Sequence, residues 1–230
     1  MTRRDSFKII RFFFRRKSVS KPRYLEKNSW EQEFNYKLWV TKGTRFAAAK
    51  RCARLAQNSQ LALTILSSYL IVAGISPYLL KTFSQTLDVD VMALITTGTS
   101  ILLLVYGLLE SSKNLGLKAH EYDECALKVS RLYNKLRYAK EFENDKQKMQ
   151  SSLLDLTTQY DEILDGYENH DSIDFAIFKT QKRRYHGLSK MDVYKIYFEY
   201  YRKVHMIYHS FIIIPPLISV VIFWATAKSS

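Results

Sequence analysis

The sequence predicts an all-α membrane protein. In this fold a transmembrane helical hairpin carries a cytosolic antiparallel helical or coiled-coil bundle, and a third transmembrane helix follows near the C-terminus. Three observations lead to this fold class: apolar runs of full span length, apolar residues repeated every three or four positions between them, and basic residues concentrated before the first run. A soluble domain would instead interleave apolar and charged residues throughout its length.

Three segments are long enough to cross a bilayer, for which about 20 apolar residues suffice. Residues 61–80 and 206–227 contain no Asp, Glu, Lys or Arg, and residues 89–109 contain only Asp90. The link 81–88 is so short that the first two spans must run antiparallel. The first two spans therefore form a hairpin.

The net charge of +13 lies almost entirely before the first span. Residues 1–60 hold 16 Lys and Arg against 4 Asp and Glu, whereas residues 110–206 hold 17 against 16. Because basic flanks stay in the cytoplasm, we predict a cytoplasmic N-terminus and an external C-terminus. The basic residues nearest the first span are predicted to lie at the membrane surface against anionic lipid headgroups. These residues are Arg45, Lys50, Arg51 and Arg54.

The same basic block leaves two further interpretations open. Residues 1–29 form a basic N-terminal tail that is either disordered or an amphipathic segment lying in the membrane interface. Direct binding of nucleic acid by the basic segment is an alternative to lipid binding, and the sequence does not decide between them.

Small and hydroxylated residues mark both spans of the hairpin. Such residues permit close contact between helices, and they also suit the lining of a water-filled pore in an oligomer. The sequence leaves both roles open for Ala93, Thr96, Thr97, Ser100 and Gly107 in the second span and for Ser67 and Gly74 in the first.

Heptad spacing continues beyond the second span. We predict that this span extends as one long helix through residues 110–140, with Gly116 its only weak point. Apolar residues at 4-3 spacing predict an oligomer or bundle seam on this helix. The seam comprises Leu115, Ala119, Tyr122, Ala126, Val129, Tyr133 and Leu136.

Two other segments complete the predicted bundle. Residues 149–167 repeat the 4-3 spacing, which predicts either an antiparallel hairpin with the preceding helix or two helices of a larger bundle. Residues 30–58 form a further cytosolic helix. Residues 169–205 are a connector with a tyrosine-rich helix that Ser189 caps, and residues 206–227 are the third span.

The sequence contains no motif of a catalytic, metal or cofactor site. His205 and His209 are four residues apart, but no third ligand is near them, and they are predicted to be interface histidines. Cys52 and Cys125 are predicted to pack between helices. We expect no enzyme activity and no cofactor.

Two local patterns resemble a known family. Arg45–Arg51 (RFAAAKR) before the first span and Leu117–Tyr122 (LKAHEY) after the second resemble the SLATT family, the two-span effector domains of bacterial conflict systems. The resemblance covers residues 30–168. The third span and its tyrosine-rich helix are similar to the branch of that family found beside reverse transcriptases.

The resemblance implies a function in anti-phage defence by abortive infection. It implies an effector in the bacterial inner membrane that forms a homo-oligomer and opens a pore, or disrupts the membrane, when its cytosolic helices are triggered. The product of a reverse transcriptase or nucleotidyltransferase is the implied defence partner. The alternative is a membrane-anchored scaffold that recruits a nucleic-acid-handling partner through the basic N-terminal segment. The family's patterns are packing patterns, so they imply no active site.

Overall fold

Helices account for all the regular structure of the described part of the chain. The structure, a computed structural model, describes residues 29–80, 89–143 and 145–229; most of the predicted basic tail and the link 81–88 lie outside these ranges. The helices are α1 Trp30–Leu80, α2 Val89–Ser112, α3 Leu115–Phe142, α4 Lys146–Asp165, α5 Ser172–Gln181, α6 Lys190–Val204 and α7 Met206–Ser229. The predicted all-α fold class is confirmed.

Helix α1 runs without interruption through both the bundle and the first span. It contains 51 residues, which corresponds to about 76 Å at about 1.5 Å per residue. The sequence predicted two separate helices, at 30–58 and 61–80. The structure joins them, because the residues between Asn58 and Leu61 include neither glycine nor proline to stop a helix.

The helical path of the second span is interrupted where the sequence predicted continuity. Asn114, between α2 and α3, has left-handed backbone angles, φ 48° and ψ 39°. Asparagine is among the few residues that adopt this conformation readily. The amide of Lys118 donates to the carbonyl of Asn114 at 2.9 Å, which starts the next helix at once. The break lies at Asn114 and not at the predicted weak point, Gly116.

Among the residues that the structure describes, two helices are long and apolar enough to cross a membrane. They are α1 and the helical path that begins with α2, and no residue in the most apolar stretch of α2 is buried within the chain. Helix α7 contributes a shorter apolar stretch, Met206–Ile218. The hairpin therefore has the composition predicted for it, while the third span stays a prediction.

The bundle core lies between α1, α3 and α4. Phe34 and Leu38 of α1 are buried against both neighbouring helices. The α3 and α4 side chains in this cluster are the heptad residues that the sequence singled out, together with their neighbours: Cys125, Val129, Leu132, Leu136, Leu153, Leu156 and Tyr160. Lys135 contacts Gln159 and Lys128 contacts Tyr167, so α3 and α4 run antiparallel, as in the predicted hairpin.

Helices α5 and α6 begin with well-formed caps. The side chains of Asp171 and Asp174 form a capping box at the start of α5, and those of Ser189 and Asp192 form another at α6. The amide of Asp192 donates to the Ser189 hydroxyl at 3.1 Å, as predicted for this cap. Both helices lie in the segment that the sequence treated mainly as a connector.

Gly43 brings α5 close to α1. A Cβ atom at position 43 would overlap the ring of Phe178. Phe178 is buried, and its ring packs on Trp39 with 4.9 Å between centroids. Gly43, which from sequence alone only weakens a helix, is required here for the close approach of α5.

Candidate functional site

The two spans of the hairpin enclose a cleft that contains part of the predicted small-residue set. Ser67 of α1 and Ser100 and Gly107 of α2 line one cavity of about 500 Å³. Leu63 closes it beside Gly107, with its Cδ2 atom 3.7 Å from where a Cβ atom on Gly107 would lie. Three of the predicted residues therefore meet in one place.

The remaining members of that set lie elsewhere on the hairpin. Ala93 and Thr97 are exposed on α2, and Thr96 is half-buried. A Cβ atom added at Gly74 would meet no atom within 4 Å. Exposed small residues on an apolar helix fit contact with another helix as well as they fit the wall of a pore. The two roles left open by the sequence stay predictions.

Ser67, Ser100 and Thr96 each form a side-chain hydrogen bond within their own helix. Ser67 donates to the Leu63 carbonyl at 2.8 Å, and Ser100 donates to the Thr96 carbonyl at 2.7 Å. Thr96 itself donates to the Met92 carbonyl at 2.9 Å. Because these hydroxyl groups donate to backbone carbonyls, they can lie in an apolar environment without an unsatisfied hydrogen-bond donor.

Glu110 forms a polar contact at the base of the hairpin that sequence reasoning missed. Its buried carboxylate accepts from the Tyr208 hydroxyl and from the Lys113 ammonium, each at 2.5 Å, and lines one cavity together with Ser59 of α1. The contact joins α1, α2 and α7 at the level where the first predicted span begins and the second predicted span ends. A buried carboxylate is costly unless it is paired in this way. The signal in the sequence is a single acid directly after Leu109.

Helix α7 packs on the other side of the hairpin. The Tyr69 hydroxyl donates to the Ile212 carbonyl at 3.1 Å, and the rings of Tyr106 and Phe211 meet edge to face at 5.3 Å. A second, mainly apolar cavity of about 1080 Å³ lies between α1, α2 and α7. Pro215 and Pro216 lie inside α7 and line this cavity.

Two of the four residues predicted at the membrane surface are instead inside the bundle. Arg45 is buried, donates to the Glu168 carbonyl and lies over the ring of Tyr122 at 5.6 Å. Arg51 pairs with buried Asp174. The prediction of lipid contact is wrong for Arg45 and Arg51, because both fix the segment after α4 to α1. Lys50 and Arg54 are exposed.

The predicted seam on α3 is used within the chain. Tyr122, Ala126, Val129 and Leu136 are buried, and Leu115, Ala119 and Tyr133 are half-buried. Ala119 and Tyr122 pack on Ala48, Ala49 and Cys52 of α1. The seam thus holds α3 against α1, and an oligomer must use other surfaces.

Burial sets the protonation of the bundle's cysteines and of one histidine. Burial raises the pKa of the Cys52 and Cys125 thiols, which keeps both thiols protonated and unreactive. Burial, followed by the positive charge of Arg45, lowers the pKa of His170, although Asp174 and Asp171 oppose this shift. Burial therefore favours the neutral form of all three side chains.

The described residues contain no group of three or more His, Cys, Asp or Glu side chains placed to hold a metal ion. His205 and His209 are 5.5 Å apart between ring centroids, and the Tyr201 hydroxyl lies 3.1 Å from Nδ1 of His209. The Asn58 amide lies 2.9 Å from Nδ1 of His205. These contacts tie the start of α7 to α6 and α1.

An apolar helical hairpin continuous with a helical bundle defines a class of protein, the two-span membrane proteins with an extramembrane helical domain. The model of the SMODS and SLOG-associating 2TM effector domain family 5 matches residues 27–222, and the chain belongs to this family. The match confirms the predicted SLATT membership and includes α5, α6 and most of α7, which the sequence placed outside the domain. Comparison with curated proteins and with solved structures gave no match.

Proposed function

We propose that the protein is a membrane effector of bacterial conflict systems that self-associates and makes the membrane permeable. Membership of a family of two-span effector domains supports the general role. The exposed small-residue face of α2, at Ala93 and Thr97, is the observation that carries the proposal of self-association.

The reason lies in how transmembrane helices associate. Lipid tails are as apolar as leucine, so small residues, which let two backbones approach closely, favour contact between helices. Within one chain, α2 leaves Ala93 and Thr97 uncovered, although neighbouring Thr96 is half-buried. A second copy that packs on this face brings several hairpins together around hydroxylated residues.

The bundle is the proposed receiver of the trigger. Helix α1 passes from the bundle core into the first span without a break. A change in the bundle is therefore transmitted to the membrane through one continuous helix. The same proposal places the hairpin in the inner membrane and the bundle in the cytoplasm. There the bundle receives a signal from a reverse transcriptase or nucleotidyltransferase.

The test is the membrane potential of bacteria in which expression of the protein is induced. We expect wild type to depolarise the membrane. Thr97→Leu places a larger side chain on the small-residue face. It is expected to reduce depolarisation about tenfold or more at equal protein level, which corresponds to a loss of about 1.4 kcal/mol per contact. Gly98→Leu serves as the control. It places an equally large side chain on the adjacent face of α2, where an added Cβ atom meets nothing within 4 Å. Full depolarisation by Thr97→Leu contradicts the proposed contact.

The alternative scaffold role rests on the basic residues before the first span. Arg51 and Arg45 are engaged inside the bundle and cannot contribute to a nucleic-acid surface. The remaining basic residues lie mainly in the part of the sequence that the structure does not describe, so this alternative stays a prediction.

A further inference from the structure

Helix α7 contains two adjacent prolines, Pro215 and Pro216, within its apolar stretch. A proline has no backbone amide proton, so it cannot donate to the carbonyl four residues earlier in a helix. The carbonyls of Phe211 and Ile212 therefore lose the donors that a regular α-helix would give them. Because hydrogen bonds hold a helix together in apolar surroundings, this turn of α7 is weaker than the turns on either side.

A substitute for one of the lost donors comes from helix α1. The Tyr69 hydroxyl donates to the Ile212 carbonyl at 3.1 Å. This carbonyl is the one that the amide of residue 216 would serve if that residue were not proline. The hydrogen bond from Tyr69 therefore replaces, from another helix, the bond that Pro216 removes.

The two halves of α7 are held differently on either side of the prolines. In the N-terminal half, Tyr208 donates to Glu110, and the ring of Phe211 packs on that of Tyr106. In the C-terminal half, the large apolar side chains that the structure describes are each more than half exposed. They are Leu217, Ile218, Val220, Val221 and Trp224. The prolines thus separate a half that is fixed to α2 from a half that the rest of the described chain covers little.

The C-terminal half of α7 also borders open space. Pro215, Pro216 and Val220 line the cavity of about 1080 Å³, and Ala73 of α1 and Met92 of α2 lie on its other walls. Motion at a proline needs such space, because a packed interior resists displacement. The helix can therefore bend at the prolines without first displacing packed side chains.

We propose that Tyr69 is the latch of a hinge in α7. The hinge is the turn from Phe211 to Pro216, and the moving arm is the C-terminal half of the helix. The hydrogen bond from Tyr69 to the Ile212 carbonyl holds the arm in one position relative to α1. When this bond opens, the carbonyl has no amide of residue 216 to accept from, and the arm moves relative to the hairpin. The latch depends on the packing of α7 on the hairpin and not on self-association or a pore.

The experiment measures the distance between α1 and the arm in the full chain, reconstituted in lipid nanodiscs. Spin labels are attached at Ile75→Cys and Val221→Cys, two exposed positions, in a chain that also carries Cys52→Ala and Cys125→Ala. Pulsed electron paramagnetic resonance gives the distribution of distances between the labels. We expect one main distance when Tyr69 is present. Tyr69→Phe removes only the hydroxyl and should raise the population of a second distance about tenfold, which equals about 1.4 kcal/mol.

Two proline variants distinguish a latch from ordinary packing of the Tyr69 ring. Pro216→Ala restores an amide that can donate to the Ile212 carbonyl, so adding Tyr69→Phe to it should leave the distances unchanged. Pro215→Ala restores the donor for Phe211 instead, so Tyr69→Phe should keep its full effect there. Tyr78→Phe is the matched control, because it removes a hydroxyl from a tyrosine of the same helix that is 68% exposed. It should leave the distribution as in wild type.

Two results would overturn the latch. One is an unchanged distance distribution in folded Tyr69→Phe. The other is an equal effect of Tyr69→Phe in the Pro216→Ala and Pro215→Ala chains. If Tyr69→Phe alone does not fold, the latch predicts that Pro216→Ala restores folding to it and that Pro215→Ala does not. Restoration by both proline variants, or by neither, then contradicts the proposal.

Discussion

Arg51 and Asp174 form a two-point ion pair inside the bundle, with Nε to Oδ1 at 2.7 Å and Nη2 to Oδ2 at 3.0 Å. The Asp174 side chain is fully buried and that of Arg51 is 15% exposed. The hydrogen bond and charge of Asp174 outweigh burial and raise the pKa of Arg51. The pair fixes α5 to α1 just outside the membrane hairpin.

Removing the negative charge of this pair is expected to destabilise the protein. Asp174→Asn leaves Arg51 largely buried without its counterion, at a cost of about 2–4 kcal/mol. Denaturation of the detergent-solubilised protein, followed by circular dichroism, measures the loss. Asp161→Asn removes an exposed carboxylate on α4 and should change the free energy of unfolding by less than about 0.5 kcal/mol. Equal stability of the two variants would contradict the importance of the pair.

Two glycines are expected to respond in opposite directions to the same substitution. Gly43→Ala forces the ring of Phe178 away from α1 and should cost about 1–3 kcal/mol of unfolding free energy. Gly116→Ala places a methyl group in open space on α3 and should add up to about 1 kcal/mol through helix propensity. Thermal unfolding of both variants is the measurement. If Gly116→Ala lowers the stability and Gly43→Ala does not, the close packing at Gly43 is refuted.

The break between α2 and α3 depends on the left-handed backbone of Asn114. Asn114→Gly keeps this conformation accessible and should leave the melting temperature near that of wild type. Asn114→Val should lower stability by about 1–2 kcal/mol, because a branched side chain clashes with the following carbonyl. If both variants unfold at the same temperature, the break does not need a left-handed residue.

Stability is expected to fall in mild acid because of His170. Its pKa in the folded protein is lowered from 6.5, chiefly by burial and then by Arg45. The unfolded chain therefore takes up a proton before the folded chain does, and stability is lost as the pH falls below about 6.5. His170→Gln should flatten part of this slope in melting temperatures between pH 7.5 and pH 5.5. His186 and His205, whose pKa values are also lowered, chiefly by burial, should account for the remainder.

The architecture could be predicted from sequence where local pattern decides it. Full-length apolar runs identify the hairpin, and 4-3 spacing identifies the buried faces of α3 and α4. These features need no knowledge of distant residues. Val129 and Leu136, placed at seam positions by spacing alone, are buried in the core.

The features that escaped prediction depend on partners far along the chain. Arg51 was placed at the membrane because its acceptor, Asp174, is 123 residues away. The need for glycine at position 43 could not be predicted, because the Phe178 ring that it accommodates belongs to α5. The break at Asn114 depends on a backbone conformation that its side chain permits but does not require. Glu110 gains its role only when Tyr208 of α7 lies beside it.

The most direct test of the account is where the two ends of the hairpin lie relative to the membrane. Ser84→Cys in the link and Lys148→Cys in the bundle, each made with Cys52 and Cys125 replaced by alanine, are labelled in intact spheroplasts with a membrane-impermeant maleimide. If the hairpin crosses the membrane with its bundle in the cytoplasm, position 84 is labelled in intact spheroplasts. Position 148 is then labelled only after permeabilisation. Labelling of both positions from the same side, in protein that remains in the membrane fraction, would contradict a membrane-spanning hairpin.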